Sequence, residues 1–382
     1  MMHYEYLDSS SKPSSMSNKS IIFIPDISGF TKFVQSTEAE HSQHVISELL
    51  EILIGANTQK LVLAEIEGDA LFFYKEEIPS MEKLLAQVET MFTAFYSHLK
   101  LLENNRICPC NACALAPNLE LKIIVHCGHL QFLAVQGKRK PFGNHVIEAH
   151  RLLKNSVDSD NYVLFSNQLM EDIMLPKTYE SKLFTFQEGE DHYDGKTLPY
   201  SYAHIDNKNL KIKPFEQAKL VNFTRKPNAI IEQVVKVSAN TFLEYVTNYK
   251  YRQEWFKGVN RFEYNEQEVT RVGTEHVCVI NGKHFNFVTV TKAADPEQLV
   301  YGELTTDPPM VDELYQFYLI TPLSNHTCNV EIQLYWVTKS ILKTLAMTLF
   351  FKRIFIKNNK DAIKRLYHFI ENHQTKVSES LS

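Results

Sequence analysis

Residues 20–31, SIIFIPDISGFT, and residues 65–70, EIEGDA, decide how this chain is read. In the first, an unbroken apolar run ends at Asp26 and Gly29 follows before a helical pattern begins. A run of that length bounded by turn residues reads as a buried strand. In the second, Gly68-Asp69 sits between two strand-like runs, LVLAEIE and ALFFYK, which reads as a hairpin with a tight tip. Asp26 thus stands at a strand end and Asp69 at a hairpin tip. Two carboxylates so placed can converge on a hard divalent cation, which prefers oxygen ligands. Each also has a plain reading alone: Asp26 as a helix cap, Gly68-Asp69 as a turn.

Working outward, residues 28–56 form a helical pattern with Val45, Leu49 and Ile52 at spacings of three and four. Residues 81–104 give a second amphipathic helix, residues 119–137 read as paired strands, and NHVIEAHRLLKNS (144–156) as a third helix. The order strand, helix, hairpin, helix, strands, helix predicts an α+β domain over residues 19–206, with helices on one face of a mixed sheet. Residues 1–18 are Ser-rich and read as a disordered tail. Residues 207–227 are polar and lysine-rich and read as a linker. From 228 to 374 the pattern is strand, helices with Ser238 as an N-cap, several strands and a long terminal helix, before a tail at 375–382.

The chain has 382 residues, enough for two domains of ~150–200 residues. With 44% hydrophobic and 22% charged residues, disorder is excluded as the main state. Forty basic against 45 acidic residues give a formal charge of −5, and no long basic run suits a nucleic-acid backbone. No apolar stretch is long enough for a transmembrane segment, and the opening residues lack an apolar h-region, so a cytoplasmic protein is expected. Six cysteines make no disulfide scaffold. Cys108, Cys110 and Cys113 crowd into six residues, which suggests thiolate ligands for zinc, with Cys127, His126 or His129 as the fourth. His41 with His44, and His145 with Glu148, read as surface groups.

The ordered motifs carry a resemblance. Asp26-Ile27-Ser28-Gly29-Phe30-Thr31, then Gly68-Asp69-Ala70, Ile124-Val125-His126-Cys127-Gly128, Phe142-Gly143-Asn144-His145-Val146, and finally Ala149, Arg151 and Leu152 resemble the class III adenylate/guanylate cyclase domain. The resemblance implies a ferredoxin-like fold, a homodimer, and Mg or Mn held by Asp26, Asp69 and the Ile27 carbonyl. In that family a 3′-hydroxyl attacks the α-phosphate and expels pyrophosphate, and Arg151 would stabilise the transition state from the partner's side. Glu65 and Lys140 stand where the base is read, with a lean to guanine, and Lys196 lies near the triphosphate-binding position. The sequence departs from the pattern at Ile147, where an Asn would bind ribose, and at Asp194, where a Lys would bind triphosphate.

Residues 228–374 resemble the START-like, SRPBCC or polyketide-cyclase superfamily in element order, Trp255 and Gly273-Thr274. That likeness implies a helix-grip fold with an apolar cavity. Trp255, Phe285, Phe287, Tyr301, Tyr315, Phe317, Tyr335 and Trp336 are the candidates for lining it, with a lipophilic small molecule as partner. The combined expectation is a divergent cyclase-like module that binds metal and nucleotide or dimerises, joined to a ligand-binding domain. An active nucleotide cyclase is the alternative.

Overall fold

The apolar run of residues 20–28 forms strand β1 (Ser20–Ser28), and every one of its residues is buried. The computed structural model describes residues 19–213 and 220–380, apart from 267, 281, 307, 309, 310, 348, 350 and 351. The expected disordered tail at 1–18 lies outside the described residues. Helices α1 (Phe30–Ser36) and α2 (Ala39–Gly55) follow. They are two where the periodicity predicts one, because the hydroxyls of Ser36 and Thr37 donate back to the carbonyls of Lys32 and Phe33 at the break.

Strands β2 (Val62–Glu67) and β3 (Ala70–Lys75) form the predicted hairpin, with Glu67 opposite Ala70. Gly68 at its tip takes φ +70°, a conformation that costs a glycine little. Next come α3 (Met81–Asn104), α4 (Asn111–Leu115), β4 (Glu120–Gly128), β5 (Gln131–Val135), β6 (Lys138–Phe142) and α5 (Asn144–Leu152). Then β7 (Tyr162–Ser166), α6 (Asn167–Asp172), β8 (Gln187–Tyr193) and β9 (Lys196–His204) complete this part.

Seven of these strands make a mixed sheet in the order β2-β3-β1-β4-β7-β9-β8, with β4 and β7 parallel. Strand β5 pairs with β6 in a separate ribbon, not with β4. Both edges of β4 are already taken by β1 and β7, so β5 has nowhere to add. Ala149 and Leu152 of α5 pack with Ile22, Ile24, Phe72 and Ile124 on one face. Ile21, Phe23, Phe73 and Val125 alternate with these and are equally buried, so both faces are covered rather than the one expected.

By packing, the described residues divide into one unit of 19–30, 50–96 and 119–213, and another of 31–49, 97–118 and 220–380. All strands of the mixed sheet fall within 19–206. The second unit has β10 (Ala229–Val235), α7 (Ala239–Thr247), α8 (Arg252–Trp255), β11 (Arg261–Glu263), β12 (Glu275–Ile280) and β13 (Lys283–Val290). After these come β14 (Leu299–Thr306), β15 (Glu313–Ser324), β16 (Thr327–Val337), α9 (Ile341–Ala346) and α10 (Lys352–Ser380). Its sheet runs β10-β16-β15-β14-β13-β12-β11, antiparallel at every step. The Ser238 hydroxyl caps α7 by accepting from the Thr241 N–H at 3.1 Å. Residues Ala362, Ile363, Leu366 and Ile370 of α10 join the same core as Ile231, Ile332 and Leu334. Helix α10 extends through the expected tail as far as Ser380.

The expected linker is not free where it is described. Leu220 bridges to Thr291, the Val221 N–H donates to the Thr291 carbonyl at 2.9 Å, and Phe223 stacks on Tyr335 with centroids 4.0 Å apart. Among the described residues no helix is long and apolar enough to cross a membrane.

Candidate functional site

The predicted carboxylate corner lies at the C-terminal end of β1. Asp26 is 8% exposed and stands in register with Ala70 of β3 and Lys122 of β4. The register places the Lys122 ammonium 3.8 Å from Asp26 Oδ1. Burial pushes the Asp26 carboxyl up to about 6, with Asp69 adding to the rise and Lys122 opposing it. Burial raises Asp69 as well. The Ile27 N–H donates to the Asp69 carbonyl at 3.1 Å, tying the strand end to the hairpin tip. Ser28, on the same strand face as Asp26, has a buried hydroxyl with no partner among the described residues. Two carboxylates and an orphaned hydroxyl fit a hard divalent cation in donor type. Lys122 already supplies one positive charge there, and the motif reading missed it because register, not spacing, brings it to Asp26.

Each cation expected to touch nucleotide is paired with a carboxylate of its own chain. Lys140 Nζ lies 3.0 Å from Glu65, Arg151 Nη2 lies 2.9 Å from Asp194, and Lys196 Nζ lies 3.7 Å from Glu148. All three pairs are at least partly exposed, so each contributes little to stability, ~0–1 kcal/mol. Ile147 points into solvent and offers no hydrogen bond.

His145 and Glu148, expected at the surface, instead join His126 in a cluster close to these residues. His126 is buried; its Nδ1 is 2.9 Å from the Ser166 hydroxyl and its Nε2 is 3.0 Å from His145 Nδ1. Glu148 Oε2 reaches His126 at 3.3 Å and His145 at 3.1 Å. A Cβ on Gly128 would fall 2.2 Å from the His145 ring, so that glycine makes the cluster's room. The visible signal was the three-residue spacing of His145 and Glu148 on α5, opposite a strand that carries His126.

In the second unit, Cys108, Cys110 and Cys113 do come together, but their neighbour is His41 rather than Cys127, His126 or His129. His41 Nδ1 is 3.2 Å from Cys110 Sγ, 3.4 Å from Cys108 Sγ and 3.6 Å from Cys113 Sγ. The four ligand atoms all lie within 4.8 Å of one another, a group able to hold a metal ion. Burial alone would lower the His41 pKa, yet its contacts with Cys108 and Cys110 raise it to about 10. Cys127 is committed elsewhere, its thiol donating to Asp172 at 3.2 Å.

The same unit holds a cavity of about 560 Å³. Of the eight aromatics proposed for its lining, Phe285 and Phe287 do line it, with Phe256, Ile280 and Leu314. Trp255, Tyr301 and Trp336 are core residues. Tyr315, Phe317 and Tyr335 face the other side of the sheet, under Val221 and Phe223. The lining also carries charge: buried Arg252 pairs with Glu303, which also accepts from the Tyr301 hydroxyl. Arg252 Nε and Thr305 Oγ1, both on lining residues, have no hydrogen-bond partner among the described residues.

A family model described as "Protein of unknown function (DUF2652)" matches residues 46–162. The chain is 28% identical over 122 residues to the uncharacterized protein Rv2561/Rv2562 of Mycobacterium tuberculosis, a match covering 32% of this chain and 57% of that relative. Solved structures similar to it include the catalytic core of a rhodopsin-guanylyl cyclase in complex with ATPαS. That likeness has 14% identity and a TM-score of 0.38, and covers 50% of this chain and 97% of the other. The adenylyl cyclase CyaB of P. aeruginosa is similar at 17% identity and a TM-score of 0.37, covering 50% of this chain and 96% of the other.

Proposed function

We propose that residues 19–206 form a divergent class III nucleotide-cyclase-like module that binds metal and nucleotide or dimerises. Residues 228–374 then form a START-like domain that binds a lipophilic molecule, and the protein works in signalling in the cytoplasm. The observation that carries the reading is the Arg151–Asp194 ion pair at 2.9 Å. The guanidinium that the motif assigns to the transition state faces a carboxylate of its own chain, at the position where a triphosphate would need a cation. Glu65 and Lys140 likewise neutralise each other. The cofactor in this reading is Mg or Mn at Asp26 and Asp69, where a bound ion would lend positive charge to phosphate oxygens. The cysteine group shares none of these ligands. In the second domain the apolar wall of Phe256, Phe285 and Phe287 suits a hydrocarbon body.

The alternative, an active cyclase with a lean to GTP, draws on Asp26. Burial holds this carboxyl up at about 6, and perturbed carboxyls cluster at functional sites. The full chain incubated with Mn²⁺, ATP and GTP and analysed by mass spectrometry separates the two, with Asp26→Ala alongside. The binding reading expects no cyclic product, saturable triphosphate binding by calorimetry or a dimer by light scattering. A cyclic product that vanishes in Asp26→Ala makes the protein an enzyme. A monomer that binds no nucleotide rules out both.

A further inference from the structure

We infer that His41, Cys108, Cys110 and Cys113 form a closed Cys₃His zinc site that fastens residues 105–118 to the start of α2. The inference is independent of the nucleotide reading, since it uses none of the same residues.

Three thiols in six residues could form a disulfide with one left over, but all six cysteines of the chain are free. The three sulfurs instead surround one imidazole nitrogen at 3.2, 3.4 and 3.6 Å. Zinc at about 2.3 Å from sulfur and about 2.0–2.1 Å from nitrogen, at tetrahedral angles, places nitrogen and sulfur roughly 3.5 Å apart. The nitrogen–sulfur spacing already present is therefore that of a tetrahedral S₃N set. Hydrogen-bonded thiols have no need to share a single acceptor.

The surroundings are those of a built site. The Cys113 N–H points at Cys110 Sγ at 3.4 Å, a backbone donor that stabilises negative sulfur. The Glu38 carboxylate accepts from the N–H groups of Asn111 and Ala112 at 3.2 and 3.0 Å, fixing the turn that carries Cys110 and Cys113. Cys113 is buried and the other three ligands are half-buried. Four protein ligands leave no open position for water or substrate, which marks a structural rather than a catalytic ion. The structural task is plain: among the described residues, the segment from Arg106 to Pro109 has no helix or strand of its own.

The test uses the full chain, purified without chelator. Elemental analysis is expected to find about one zinc per chain. Replacement by Co²⁺ is expected to give the intense visible bands of a tetrahedral ion together with thiolate charge-transfer absorption. His41→Ala should weaken zinc binding by more than the 10–100-fold that loss of a supporting partner costs, and Cys127→Ser should leave it unchanged. Metal-free protein that gives no tetrahedral cobalt spectrum overturns the site. So does a spectrum that survives His41→Ala unaltered or disappears in Cys127→Ser, because the ligand set would then be different. The zinc count and cobalt spectrum of the wild type decide the matter even if a variant fails to fold.

Discussion

Asp194 and Gly195 take φ of +50° and +76° at the tip joining β8 to β9, with Tyr193 opposite Lys196. Two positive φ values in a two-residue loop are the setting in which Asp-Gly is favoured. The turn alone therefore accounts for an aspartate at this position, and it leaves a negative charge 2.9 Å from Arg151. Asp194→Asn tests what that charge does, since asparagine suits the same turn. The exposed pair is worth up to ~1 kcal/mol, so the variant is expected to bind a Mg-nucleoside triphosphate up to about fivefold more tightly. Equal calorimetric affinity for variant and wild type would remove Arg151 from the nucleotide site. Glu48 presents the opposite case, a buried charge that is fully answered. It lies 2.8 Å from His98 Nε2, accepts Arg271 Nη1 at 2.8 and 3.0 Å, and accepts the Val269 N–H at 2.9 Å. Burial alone would raise this carboxyl, but His98 and Arg271 hold it below its ordinary 4.5. A depressed folded value means the contribution is complete above 4.5 and is lost as pH falls through the lower folded value. Glu48→Gln is expected to cost about 3–5 kcal/mol at neutral pH. In urea titrations the gap to wild type should narrow steadily below pH 4.5. A gap independent of pH would show that packing, not charge, is what Glu48 supplies.

Among the elements, those decided by local pattern were legible. The apolar run of β1, the Gly68-Asp69 tip and the 3.6-residue period of α3 are all readable within a dozen residues. What the sequence hid is set by residues far apart. β5 pairs with β6 because β4 has no free edge. His41 meets cysteines 67 to 72 positions away. Lys122 reaches Asp26 through register alone. Residues 220–223, LVNF, were masked by their polar neighbours, yet Val221 and Phe223 dock on the sheet face that holds Phe317 and Tyr335. That face is tightly closed at Gly302 of β14. A Cβ there would fall 2.5 Å from Phe317 Cδ1 and 2.8 Å from the Val290 carbonyl oxygen. The ring could turn aside, but the backbone oxygen cannot. Gly302→Ala is expected to lose about 1–3 kcal/mol in a denaturant titration. An unchanged midpoint would mean that the β13–β14 pairing gives way without cost.

For the molecule as a whole, the question is whether the 560 Å³ cavity is used. Its size lies within the range of small-molecule sites, and its lining mixes apolar and aromatic side chains with charged and amide ones. A well-packed domain would gain stability by filling such a space. A ligand with a hydrocarbon body would fill it. Present at about 100 times its dissociation constant, it would add about 2.7 kcal/mol to stability. For a unit of ~150–250 residues that raises the melting temperature by roughly 5–11 °C. Phe285→Ala removes part of the apolar wall, so it should shrink the shift given by every ligand that carries a hydrocarbon body. The experiment is a melting series with fatty acids, fatty alcohols and alkanes on wild type and variant, with native mass spectrometry of the protein as purified. If no compound moves the transition and no small molecule accompanies the protein from the cell, the cavity binds no lipophile. The START-like reading of residues 228–374 would then lose its function.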